Sequence, residues 1–287
     1  MSALALALVL AAACIHATWN YVLKRSGGGT LFVWWFATVS AVFYAPVAFA
    51  VVWWTQPALE WPHYGLMLAS AVLHTGYYML LDRGYRSGGD LSLVYPLARG
   101  SGPLMTVVVA ILLLNERPST VAVAGALAIC GGAVLLTGNL RLLRERGSLP
   151  AVGFALLTGG MIASYTLVDK VAVAAYLVPP ILQDWAANLG RVALMTPMAL
   201  NARRELMPTW RRSRNAIIAV AILCPLSYIL VLTAMVFTPV SYVAPAREIS
   251  ILVATAMGTQ LLAEGDTGRR LTAALIMVAG IVCLAVG

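Results

Sequence analysis

Long apolar stretches dominate this chain, and they constrain its fold more than any other feature. Of its 287 residues, 61% are hydrophobic and 10% are charged, whereas soluble domains carry about 25% charged residues. A helix that crosses a bilayer needs about 20 apolar residues. Short polar breaks separate ten stretches of that length, which we predict to be membrane spans one to ten: 3–24, 30–54, 62–82, 91–114, 118–139, 149–171, 178–201, 214–237, 239–262 and 269–287. The sequence therefore predicts an all-α polytopic membrane protein.

The first stretch resembles the hydrophobic region of a signal peptide. No Lys or Arg precedes it, and the nearest charges, Lys24 and Arg25, follow it. A signal peptide has its positive charges before the apolar run. We therefore expect this stretch to be retained as span one.

Basic residues are distributed unevenly between the connecting loops. The net charge is +8, from 19 Lys and Arg against 11 Asp and Glu. Fourteen of the basic residues follow odd-numbered spans, and only Arg117 and Lys170 follow even-numbered ones. Because cytoplasmic loops carry the excess of Lys and Arg, we predict a multi-pass protein of a bacterial-type inner membrane with both termini outside the cytoplasm. The positive charge is thus a signal of topology, and we expect no nucleic-acid partner.

Spans four and nine contain the same spacing of charged residues. Arg99 lies 17 residues before Glu116, and Arg247 lies 17 residues before Glu264. The two pairs are 148 residues apart, and the same offset aligns span one with six and span three with eight. A repeat of five spans crosses the membrane an odd number of times, so its second copy is inverted, as in many secondary transporters. We predict two inverted five-helix repeats, at residues 1–140 and 149–287.

These features together resemble the drug/metabolite transporter superfamily, in its EamA-type branch of ten-helix proteins. The resemblance rests on the five-plus-five layout, on residues 95–103 (YPLARGSGP) with Glu116, on residues 245–247 with Glu264, and on residues 16–20 (HATWN). It implies an exporter of amino acids and other small metabolites, with a central cavity lined by spans one, three, four, six, eight and nine. Small multidrug exporters of the superfamily carry a buried Glu in their first helix, and span one has no acid here.

Two arginines inside predicted spans are candidates for substrate binding. A buried Arg costs roughly 2.5–3.5 kcal/mol at a helix centre and marks a functional site by default. We place Arg99 and Arg247 about 5 Å from the midplane on opposite sides. A guanidinium binds a carboxylate with two parallel hydrogen bonds, so we hypothesise that each arginine meets a substrate carboxylate in alternate states. The alternative is that Arg247 pairs with Glu248 or a carbonyl and braces the fold. Residues expected to loosen the two helices are Pro96, Gly100, Gly102, Pro103 and Pro245.

Aromatic and polar side chains at a similar depth complete the predicted site. The substrate-binding set is Trp19, Asn20, His74, Tyr78, Tyr95, Arg99, Ser101, Tyr165, Asn188, Tyr228, Tyr242 and Arg247. An aromatic cavity with few hydrogen-bonding groups suits solutes that have an apolar side chain and a charged end. Each aromatic taken singly can equally be a packing residue. His74 either couples protons or is a neutral, hydrogen-bonded cavity residue, and we favour the second.

Two further pairs of charges have structural interpretations. Asp169 and Lys170 could form a brace or gate near the outer end of span six, although an ordinary helix-end pair is the interpretation we favour. Asp184 and Arg191 lie two turns apart on one face of span seven, and we expect a third residue to bridge them.

Small residues recur in spans five and ten. Their repeats every four residues are Ala124, Ala128 and Gly132, and Ala279, Cys283 and Gly287. Such faces permit close helix packing and could either join the two halves or form a homodimer. The four cysteines lie in apolar runs without metal-binding spacing, so we expect neither a disulfide framework nor a metal or cofactor.

We conclude from the sequence that the protein is a carrier for small organic solutes, and amino acids are the preferred class. The main alternative is efflux of amphipathic drugs or amines. A passive channel or lipid scramblase, and an intramembrane enzyme, are weaker alternatives. The segment Arg99-Gly100-Ser101-Gly102 lacks the first glycine of the Gly-x-Ser-Gly motif of intramembrane serine proteases, and no metalloprotease or Gly-x-Ser-x-Gly motif occurs. We therefore do not expect an enzyme.

Overall fold

A computed structural model describes residues 1–86, 91–137, 149–259 and 267–287. These residues form helices and no strand, which confirms the predicted all-α fold. The helices are α1 (Ala3–Arg25), α2 (Thr30–Thr55), α3 (Trp61–Arg86), α4 (Leu91–Leu113), α5 (Thr120–Thr137), α6 (Leu149–Ala174), α7 (Pro180–Asn201), α8 (Arg203–Phe237), α9 (Val240–Ala246), α10 (Ile249–Thr259) and α11 (Thr267–Val286).

The predicted spans match these helices within a few residues, except at span eight. The polar stretch at 201–214, predicted as a connection, is mostly helical and extends α8 to 35 residues. The indole nitrogen of Trp35 in α2 donates a hydrogen bond of 3.0 Å to the carbonyl of Leu206, and its ring lies 4.9 Å from the ring of Trp210. Packing against α2 thus holds this extension, which hydropathy alone could not identify.

Span nine is broken into α9 and α10, with Arg247 and Glu248 between them. Pro245 lies in the last turn before the break, and a proline removes one backbone hydrogen bond of a helix. The expected loosening therefore occurs in span nine.

The same expectation for span four was wrong, because α4 is continuous from Leu91 to Leu113. Its glycines serve close packing instead. A Cβ atom on Gly100 would lie 2.5 Å from a methyl carbon of Val134 in α5, and one on Gly102 would lie 2.8 Å from a methyl carbon of Ile162 in α6.

Five helices of the described chain are long and apolar enough to cross a membrane: α1, α2, α6, α8 and α11 from Gly268. The apolar parts of α4 and α5 are shorter, and α7 carries the buried polar residues Gln183, Asp184 and Arg191. Inward-facing polar groups thus lower the hydropathy of helices that lie between the apolar ones. The architecture is that of a multi-pass membrane protein.

The contacts between helices come in matched sets. When each helix is replaced by the one five spans away, the pairing of α1 with α8 becomes that of α6 with α3, and α4 with α6 becomes span nine with α1; all four pairings are present. The pairing of α2 with α8 corresponds in the same way to that of α7 with α3. The pairs α2–α7 and α5–α11 correspond to themselves.

Helices α5 and α11 approach each other backbone to backbone. A Cβ atom on Gly125 would lie 2.6 Å from the carbonyl oxygen of Gly280. The predicted stripes were only partly right, because Ala124 and Ala279 are exposed while Gly132 is buried in this contact. Small residues therefore join the first five spans to the last, as one of the two interpretations of the sequence expected.

Candidate functional site

A cavity lies in the middle of the helix bundle, where α1, α3, α4, α6, α7 and α8 meet the break in span nine. Its volume is about 70 Å³. The lining residues are Ala12, His16, Trp19, His74, Tyr77, Tyr78, Arg99, Tyr165, Asp184, Asn188, Arg191, Cys224, Ser227, Tyr228, Val231 and Arg247. The cavity thus includes every span that the family resemblance implied, together with α7.

Eight of the twelve predicted site residues line this cavity: Trp19, His74, Tyr78, Arg99, Tyr165, Asn188, Tyr228 and Arg247. Three others are placed elsewhere. The Asn20 amide donates to the carbonyl of His16 in its own helix (2.9 Å), and Ser101 packs against Gly159 in α6. Tyr242 lies at the start of α9, where its hydroxyl accepts from the backbone of Ser119 and donates to that of Gly287. The side chain of Tyr95 lies outside the described residues.

Arg99 is bound by two residues from the second half of the chain. Its Nε lies 2.9 Å from Oε2 of Glu248, and its Nη2 donates a hydrogen bond of 3.1 Å to Ser250. All three side chains are buried. The sequence analysis considered Glu248 as a partner for its neighbour Arg247, but in the structure the ion pair is made by Arg99.

Arg247 lies among aromatic rings. Its Nη2 lies 3.5 Å from the hydroxyl of Tyr165, and its guanidinium carbon lies 5.9 Å from the centre of the Tyr228 ring. A cation over an aromatic face at this distance is stabilised electrostatically. No carboxylate of the described residues forms an ion pair with Arg247, and its Nε makes no hydrogen bond with them.

Three polar residues of α7 form a relay beside the cavity. Asn188 donates to Oδ2 of Asp184 at 2.9 Å and accepts from Arg191 at 2.8 Å. This confirms the prediction that a third residue bridges the two charges. Arg191 also lies over the ring of Tyr78, 5.1 Å from its centre.

His74 is hydrogen-bonded within its own helix. Its Nδ1 lies 3.0 Å from the carbonyl oxygen of Ser70 and 3.2 Å from the Ser70 hydroxyl. Its ring is stacked on that of Tyr165, with the centres 4.0 Å apart. The side chain therefore forms part of the aromatic wall, in agreement with a hydrogen-bonded cavity residue.

Asp169 and Lys170 do not pair, so the predicted helix-end ion pair was wrong. The Asp169 side chain is fully buried, where Oδ1 accepts from Gln183 at 2.8 Å and Oδ2 accepts from the Tyr228 hydroxyl at 2.5 Å. The Lys170 ammonium donates to the carbonyls of Met235 and Thr238 at 2.7 and 3.0 Å. Consecutive residues project in different directions from a helix, so one side chain faces the interior and the other the end of α8.

Several lining residues were absent from the predicted site. His16 contacts Trp19 edge to face at 4.7 Å, and the Trp19 indole donates to Ser227 at 3.3 Å. The stripe of polar residues at 184, 188 and 191 was a detectable signal, because this spacing puts all three on one face of a helix. The described residues contain no group of three or more metal-binding side chains.

Known proteins resemble this chain in sequence over its first half and in structure throughout. Residues 3–138 match the model of the EamA-like transporter family. Over that range, the chain belongs to the EamA-like transporter family. Its members are membrane transporters of small metabolites, which makes a transporter the coarse functional class of this EamA-like protein.

The structural comparison extends the likeness to the second half. A solved structure titled "Crystal structure of protein" superimposes with a TM-score of 0.79 over 100% of this chain and 98% of its own length, at 16% sequence identity. At that identity the likeness shows a shared fold alone. No curated protein sequence matches the EamA-like chain.

Proposed function

We propose that this protein is an inner-membrane secondary carrier that exports amino acids with aromatic or apolar side chains. The observation that carries the proposal is the cavity itself. It combines a buried guanidinium that has no ion-pair partner among the described residues with walls made largely of aromatic rings. An amino acid has the matching parts, a carboxylate and a side chain.

The carboxylate end of the substrate is assigned to Arg247. A guanidinium offers several N–H donors in a planar fork that suits a carboxylate. Arg247 lies where span nine is broken, so its side chain enters the cavity from a point without regular helix on either side. Arg99 is engaged with Glu248 and Ser250, and we assign it a bracing role in this state.

The side-chain end is assigned to the aromatic walls. Tyr77, Tyr78, Tyr165 and Tyr228 surround the cavity together with Trp19. Aromatic rings bury apolar surface and also attract cations over their faces. The present volume of about 70 Å³ is well below the roughly 300–1,000 Å³ of sites for drug-sized ligands. A substrate with an aromatic side chain therefore requires the helices to move apart, as they do in alternating access.

Alternating access is supported by two observations. The Arg–Glu spacing recurs 148 residues later, and the helix pairings recur when spans are exchanged by five. We interpret both as two inverted repeats, 1–140 and 149–287, that rock about the central cavity. The bias of basic residues towards odd-numbered loops supports an inner-membrane orientation with both termini outside the cytoplasm.

Counterflow in proteoliposomes tests the proposal. Vesicles with purified protein are loaded with unlabelled phenylalanine, and uptake of labelled phenylalanine is followed over a range of external concentrations. A carrier gives saturable uptake that depends on the internal load. Uptake that is linear in concentration and indifferent to the load would instead indicate a channel, and recovery of an altered solute would indicate an enzyme.

Efflux of amphipathic amines is the second candidate. Aromatic walls and the cavity-lining carboxylate of Asp184 are features that also suit an organic cation. The same vesicles loaded with phenethylamine distinguish the two. Counterflow of the amine without counterflow of any amino acid would replace our proposal with this one.

A further inference from the structure

We propose that Asp184 binds the ammonium group of the substrate, so that the cavity recognises a zwitterionic α-amino acid at both charged ends. This inference rests on the proposed function, because it assigns a second contact to the same substrate. It comes from comparing all the buried charges of the described chain and asking which of them still face the cavity.

Among the buried acids, Asp184 has the capacity for a new partner. Glu248 is paired with Arg99, and neither it nor Asp169 lines the cavity. Both carboxylate oxygens of Asp169 already accept hydrogen bonds. Asp184 lines the cavity, its Oδ2 accepts from Asn188, and its Oδ1 makes no hydrogen bond with the described residues.

The α7 relay keeps this carboxylate from closing onto its nearest cation. Asn188 lies between Asp184 and Arg191 and bonds to both. Among the described residues, no direct ion pair forms between the two charges. A buried carboxylate that a neutral amide alone contacts is costly, and an ammonium group placed at Oδ1 would offset that cost.

The cations divide in the same way. Arg99 is paired with Glu248 and Arg191 is bonded to Asn188, whereas Arg247 has a long bond to a tyrosine hydroxyl and an aromatic face. The cavity thus presents Asp184 on α7 and Arg247 at the break of span nine, with the ring of Tyr228 also in its wall. A zwitterion with an apolar side chain complements one anion, one cation and aromatic surface together.

The test compares three labelled solutes in proteoliposome exchange: phenylalanine, 3-phenylpropionate, which lacks the amine, and phenethylamine, which lacks the carboxylate. A hydrogen bond to a charged group is worth enough for roughly a 10- to 100-fold change in apparent affinity. We expect wild-type protein to prefer phenylalanine over 3-phenylpropionate by that factor. In Asp184→Asn the preference disappears, because affinity for phenylalanine falls while that for 3-phenylpropionate is retained.

Asp169→Asn is the matched control, since it also removes a buried carboxylate but one that does not line the cavity. We expect it to keep the preference for phenylalanine. Loss of both solutes to the same extent in Asp184→Asn, or an unchanged preference, would overturn the assignment. If that variant does not fold, equal wild-type affinities for phenylalanine and 3-phenylpropionate would overturn it as well. Absence of any phenylalanine exchange by wild-type protein would contradict the proposed function instead.

Discussion

Arg99 in span four and Arg247 in span nine stand at corresponding places, 148 residues apart, but their surroundings differ. The residues one and three positions after Arg247 are Glu248 and Ser250, and both bind Arg99. The residues one and three positions after Arg99 are Gly100 and Gly102, which have no side chain to offer Arg247. A difference of two residues thus leaves one arginine braced and the other facing aromatic rings and the cavity.

The backbones differ for the same reason. Gly100 and Gly102 let α4 pack closely against α5 and α6 as a continuous helix. At the corresponding place in span nine, Arg247 and Glu248 interrupt the helix, and both side chains are buried. Near-repeats of sequence therefore have different roles once their neighbours differ, with span four as scaffold and span nine as the site of recognition.

Removing the brace gives the largest expected effect. Glu248→Gln leaves Arg99 buried without its ion-pair partner, and breaking a buried pair from one side costs about 3–5 kcal/mol. We expect a large fall in the melting temperature of the detergent-solubilised protein. The double variant Arg99→Gln with Glu248→Gln removes both charges and should recover much of the loss. If the two single substitutions add without recovery, the pair does not contribute as we describe.

Filling the scaffold position has a smaller effect. A Cβ atom at Gly100 would meet the Val134 side chain at 2.5 Å, and overpacking costs roughly 1–3 kcal/mol. We expect Gly100→Ala to lower thermal stability by a corresponding amount. Gly131→Ala in α5 is the control, because nothing lies within 4 Å of a Cβ atom there. Equal stability of the two variants would show that α4 does not depend on this close approach.

The smallest effect concerns a contact that links the two spans at one end of the molecule. Both carboxylate oxygens of Glu116, after α4, accept hydrogen bonds from the first backbone amides of α9, at Val240 (2.8 Å) and Ser241 (2.9 Å). Loss of a helix cap typically costs about 1 kcal/mol. We expect Glu116→Ala to lower stability by that amount and the exposed control Glu60→Ala to leave it unchanged. A loss as small as that of the control would remove this contact from the account.

The sequence predicted the number and approximate limits of the spans, because hydropathy depends on each segment alone. It also predicted the Asp184–Asn188–Arg191 relay, whose members share one helix face. It did not predict that Glu248 pairs with Arg99, since that contact joins residues 149 positions apart and depends on how two helices are placed in space. Nor did it predict the inward turn of Asp169, because its partners Gln183 and Tyr228 come from two other helices.

The central claim is that Arg247, and not Arg99, binds the substrate carboxylate. Comparing exchange of phenylalanine with that of phenethylamine tests it most directly, because the two solutes differ by the carboxylate. We predict that Arg247→Gln lowers the preference for phenylalanine roughly 10- to 100-fold, while the double variant Arg99→Gln with Glu248→Gln retains it. A preference that survives Arg247→Gln, or is lost in the double variant, would contradict the account.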